Sequence, residues 1–75
     1  MKYKLGSVTI EAIDTYVRVT VEGIGCRVTD YPCPKTMDVA LIVHEMRGYW
    51  PDNAVLQACS RAAEDARNNK TILDL

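Results

Sequence analysis

Three cysteines and one histidine are the residues of this 75-residue chain whose types could carry chemistry. Cys26 and Cys33 bracket the stretch "CRVTDYPC", Cys59 lies far downstream, and His44 stands between them. A structural zinc site draws its ligands in pairs two to four residues apart, because a tight knuckle brings both donors onto one ion. Cys26 and Cys33 have six residues between them, and His44 and Cys59 belong to separate expected elements. A Cys3His set gathered from four places is geometrically open, yet packed thiols and an ordinary helical histidine need no metal. There is no Cys-x-x-Cys redox pair, and an odd cysteine count fits no simple disulfide framework. "HEMRG" lacks the second histidine, four residues after the first, of a zinc protease helix.

Nucleophilic catalysis needs a base within hydrogen-bond reach of the nucleophile. Cys33 precedes the expected first helix and His44 lies about two turns into it, roughly 10 Å along the axis, so the two do not form a dyad. The carboxylates of Glu45, Asp52, Glu64 and Asp65 suit a solvated helix surface. No catalytic residue, metal ligand or cofactor is expected, and the chain is read as a non-enzyme.

The elements that position these residues are legible from hydrophobic period. Val8, Ile10 and Ala12 alternate with polar residues, as do Val17, Val19 and Val21, which predicts strands at 7–13 and 16–22 with one buried face. Gly23-Ile24 suits a two-residue turn into a third strand at 25–31. Pairing Glu22 with Gly25 sets Val21 opposite Cys26, Val19 opposite Val28 and Arg18 opposite Thr29, and turns Cys26 inward. Pro32 and Pro34 end that strand, since neither donates a ladder hydrogen bond, and Cys33 between them is a thiol at a rigid corner.

Beyond the corner, Thr36 is placed to cap a helix over 37–47, with Asp38 in its first turn, Arg47 in its last and Gly48 as the stop. Val39, Ile42 and Met46 form its inner stripe, with Val43 beside it. Asp52 or Asn53 is placed to cap a second helix over 53–68, whose inner stripe of Val55, Cys59, Ala62 and Ala66 is small enough for close approach. "NNK" is expected to end it, leaving "TILDL" as an apolar tail that seals the core or adds an edge strand. The prediction is one α+β domain over 1–75, a three-stranded antiparallel sheet followed by two helices in the order β-β-β-α-α.

Composition bounds the function. The chain is 48% hydrophobic and 25% charged, with nine Lys and Arg against ten Asp and Glu, which suits a small soluble globular domain. That balance gives no general field toward nucleic acid or anionic lipid. The longest apolar run, "VALIV", is far short of the roughly 18 to 20 residues of a membrane span. "MKYKLGSVTIEAID" has no signal-peptide pattern, so a cytoplasmic protein without membrane contact is expected.

Two surfaces then offer binding chemistry. The register above would gather Tyr16, Arg18, Arg27 and Tyr31 on the sheet face away from the core, with Tyr16 opposite Tyr31. Tyrosine beside arginine suits a protein interface or, as the alternative, the stacking and phosphate contacts of a small nucleic-acid-binding module; the near-neutral charge favours the protein. A second copy over that face would make the chain a homodimer. The other surface is "RGYW", where Tyr49 and Trp50 are expected to close the end of the core, the contrary case being that they project into a partner.

The order of strands with "GIGCRVT" resembles the antitoxin domain of the HicB family over about a third of the chain. The Pro-Gly-Cys and acidic helix start usual in that family are absent here, and none of its residues is carried over. In size and character the chain is also similar to the compact inhibitors that phages and mobile elements make against host machinery, anti-CRISPR proteins among them. The function expected is a noncatalytic protein-binding module, in the form of a small inhibitor of a larger protein or complex.

Overall fold

The computed structural model describes residues 2–23, 25–32 and 34–73, the side chains of 70–73 excepted. Its elements are β1 (Lys2–Leu5), β2 (Val8–Ile13), β3 (Tyr16–Gly23), β4 (Gly25–Pro32), α1 (Thr36–Arg47) and α2 (Asn53–Leu73). The four strands form an antiparallel meander in the order β1-β2-β3-β4. The predicted three-stranded sheet is therefore wrong by one strand: Lys2–Leu5 pairs with β2, Tyr3 opposite Ile10 and Leu5 opposite Val8. Gly6 makes that hairpin with a φ of 61°, a conformation glycine adopts without steric cost. The segment is only four residues long and carries two lysines, yet Tyr3 and Leu5 keep the period of two.

The second correction is the register of the last hairpin. Gly23 pairs with Gly25 and Glu22 with Cys26, one residue away from the expected pairing, so every side chain of β4 changes face. Arg18 meets Asp30 instead of Thr29, Tyr16 meets Pro32 instead of Tyr31, and Cys26 turns outward. Burial on one face normally enforces register, but β4 is exposed along nearly its whole length and supplies little of that force. Gly25, at φ 105°, and the doubly hydrogen-bonded ion pair of Arg18 with Asp30 (2.9 and 3.2 Å) go with the observed pairing.

Both helices cover one face of the sheet, α2 over β1, β2 and β3 and α1 over β3 and the near side of β4. Between the layers, Val8, Ile10, Val17 and Val19 from the sheet meet Val39, Val43, Val55, Cys59, Ala62, Ala63 and Ala66 from the helices. The small α2 stripe lets that helix lie close to both neighbours. On α1 the buried arc is Val39, Ala40 and Val43, with Ile42 and Met46 only partly covered and Leu41 exposed.

Helix α1 begins one residue early. Its start is held by the Asp38 carboxylate, which accepts from the Lys35 amide at 3.3 Å, so Thr36 lies within the helix and does not cap it. Gly48 ends it at φ 89°, donating its N–H to the His44 carbonyl at 2.7 Å. A Cβ there meets no atom but forces the left-handed conformation, so Gly48→Ala is expected to cost about 1 kcal/mol in a urea titration. An unchanged midpoint would contradict that role.

Helix α2 is capped as expected, the Asp52 side chain accepting from the Val55 amide at 3.0 Å. It does not stop at 68 but continues to Leu73, which removes the edge strand as one of the two expected uses of the tail; residues 74 and 75 lie outside the described residues. The asparagines at the expected end have a different use, for the Asn69 side-chain amide donates to the Asp14 carbonyl in the β2–β3 turn at 2.7 Å. The Tyr3 hydroxyl donating to Asp65 (3.1 Å) binds the same helix to β1, and Arg67 donating to the Pro34 carbonyl (3.0 Å) binds it to the connection between β4 and α1. Among the described residues no helix is long and apolar enough to cross a membrane.

Candidate functional site

The corrected register takes the predicted sheet surface apart. Tyr16 and Arg18 stay on the open face, but Arg27 and Tyr31 stand in register with Val21 and Val17 and so point to the side that carries the helices. They remain exposed there, because α1 does not reach across β4. The open face instead carries a cross-strand row of alternating charge, Lys2, Glu11, Arg18 and Asp30. Hydrogen bonding to Arg18 holds the Asp30 carboxyl below its ordinary range and raises the guanidinium correspondingly. Arg18 also lies 5.9 Å from the Tyr16 ring centroid. Such a row satisfies itself, and its one arginine has a carboxylate partner already.

The thiols separate as well. Cys26 is exposed on the open face, against the expectation that it packs in the core, while Cys59 is buried as predicted. Cys33 lies outside the described residues. Burial pushes the Cys59 thiol up to about 11, with the nearby Arg47 charge pulling the other way. Because a thiolate is the reactive form, an alkylating reagent applied at neutral pH to a Cys33→Ser variant is expected to label Cys26 and spare Cys59 until the protein unfolds. Stability should also fall as pH rises from about 9 toward 11, where the unfolded chain has lost the Cys59 proton and the folded one retains it. Among the described residues no three His, Cys, Asp or Glu side chains gather about one point.

The interhelical corner departs most from expectation. Tyr49 and Trp50 do not close the core: they are 60% and 57% exposed, while Pro51 beside them is buried. Each ring is nonetheless held on one side by the last turn of α1. Trp50 stacks on His44 with centroids 4.1 Å apart and planes at 26°, and the Arg47 guanidinium lies 4.2 Å from the Tyr49 centroid. His44 and Arg47 are three residues apart, one helical turn, so the helix that buries Val43 also fixes the two supports. His44 Nδ1 and Arg47 Nε are buried without a hydrogen-bond partner among the described residues.

Met37 and Leu41 extend this surface. They fall on the same helix face as His44, by the spacing i, i+4, i+7, and are 67% and 45% exposed. The outer side of α1 thus presents an apolar strip that ends at two propped aromatic rings. The sequence pattern hides it, since α1 reads as apolar around much of its circumference and nothing in that pattern says which arc stays outside. Comparison with protein families, with curated proteins and with solved structures finds no match to this chain, so the likeness of "GIGCRVT" to the HicB antitoxin domain stands on those residues alone.

Proposed function

We propose that the chain is a noncatalytic protein-binding module that docks through Tyr49 and Trp50, with Met37 and Leu41 widening the contact. The observation that carries this is the pairing of exposure with support: both rings are more than half exposed, yet each is held on one face by α1. A ring already held in place loses little freedom on binding, and that lowers a main cost of association. Tyr and Trp are also the residues enriched at the energetic centres of protein interfaces. The buried His44 and Arg47 nitrogens, without a hydrogen-bond partner among the described residues, add support, because an unsatisfied desolvated polar group in a native fold calls for an explanation that a partner would supply.

A compact module of this kind suits a small inhibitor working in the cytoplasm, such as those phages direct against host defence, and that is the form of the function we favour. The test is capture of a protein partner by the wild-type chain and its loss with Trp50→Ala. Recovery of nucleic acid alone, with an affinity that falls steeply with salt, would replace this proposal with the nucleic-acid alternative.

A further inference from the structure

The two edges of the sheet are unlike. The β1 edge is four residues long and carries Lys2 and Lys4, and shortness and lysine are the usual means by which proteins keep an edge from pairing. The β4 edge is eight residues long, "GCRVTDYP", with one positive and one negative charge and its only proline at the end. Among the described residues no strand pairs beyond it, and all but Thr29 of its residues are exposed. Val28 is 53% and Tyr31 38% exposed.

We propose that β4 pairs antiparallel with β4 of a second copy of this chain, about a two-fold axis at Thr29, to give a continuous eight-stranded sheet. The sequence of the edge supports its own copy as the occupant. A two-fold axis that keeps both pairs of helices on one side of the sheet requires residues of like facing to meet, so the axis passes through a residue and not between two. With Thr29 on the axis, Thr29 meets Thr29, a favourable cross-strand pair, and Arg27 meets Tyr31 of the other copy twice, cation against ring. Asp30, already paired to Arg18, meets Val28. Moving the axis to Asp30 sets two like charges opposite each other, and moving it to Val28 leaves Tyr31 facing Gly25. The corner at Tyr49 and Trp50 has no part in this pairing, so its proposed role stands or falls separately.

Sedimentation equilibrium of the wild-type chain at rising concentration is expected to show twice the monomer mass, and Thr29→Lys, which sets two lysines opposite each other, is expected to return it to monomer mass with its circular dichroism intact. Cysteine cross-linking tests the register without depending on that variant. In a chain carrying Cys26→Ser, Cys33→Ser and Cys59→Ala, Thr29→Cys should oxidise to a disulfide dimer, because directly opposite residues lie about 4.5 to 5.5 Å apart at Cα. Val28→Cys in the same chain should not, since its copies would be about 8 Å apart. A wild-type chain that stays monomeric at high micromolar concentration would overturn the proposal and leave the edge to an extended segment of a different protein. So would a dimer that cross-links through residue 28 as readily as through residue 29.

Discussion

Trp50→Ala should weaken binding to a protein partner by about 2 kcal/mol or more, roughly thirtyfold in affinity, while the domain keeps its fold. Trp50 is 57% exposed and outside the core, so its removal leaves the packing of Val39, Val43 and Val55 untouched. What is lost in the free protein is one exposed stack on His44, worth about 0.5 to 1.5 kcal/mol at most. What is lost in the complex is a large ring already set in place, and a partner pocket left unfilled. The prediction is checked by titrating the purified partner against both proteins and by comparing their urea midpoints. Equal affinities would move the docking surface elsewhere, and a collapsed midpoint would mean that Trp50 is structural.

The largest loss of stability is expected from Ile10→Ala. Ile10 is the largest of the side chains that are fully buried, and it sits on β2, an inner strand, facing the helices. Truncation removes apolar contact and leaves a cavity that the alanine-lined stripe of α2 cannot refill, for about 2 to 5 kcal/mol. A chain this small is held by roughly 0.05 to 0.15 kcal/mol per residue, so one such change takes a large share of the whole. The thermal midpoint should fall on the order of 10 °C or more. Val28→Ala, at a half-exposed position on the open face, should change stability by less than about 0.5 kcal/mol. Similar midpoints for the two variants would contradict the two-layer arrangement.

These residues also mark how far the sequence alone could be read. Val8, Ile10, Val17 and Val19 sit on inner strands buried on one face, and there a period of two identifies the core face directly. The α2 stripe was legible for the same reason, with Val55, Cys59, Ala62 and Ala66 falling on one arc and Asp52 in place as the cap. β4 was not legible in register. Exposed on both faces, it satisfies either pairing by pattern, and the choice between Gly25 and Cys26 opposite Glu22 rests on turn geometry that Gly23 and Gly25 both permit. That single shift separated Arg27 and Tyr31 from Tyr16 and Arg18, and with them the expected sheet site.

The helix ends and the corner failed for different reasons. Asn68 and Asn69 are ordinary stop signals locally, but the bond from Asn69 to Asp14 crosses the molecule, and no local pattern contains it. Tyr49 and Trp50 are apolar enough to be assigned to the core. They are exposed instead and rest on His44 and Arg47, while the core between the layers is built from valines, Ile10, Cys59 and the α2 alanines.

The most direct test of the docking corner is capture from a nuclease-treated lysate with wild-type, Trp50→Ala and Arg18→Ala chains in parallel, followed by identification of what each retains. A protein held by the wild-type and Arg18→Ala chains at high salt and lost from Trp50→Ala is the expected result. The same protein retained equally by all three, or nothing retained once nucleic acid is removed, would contradict it.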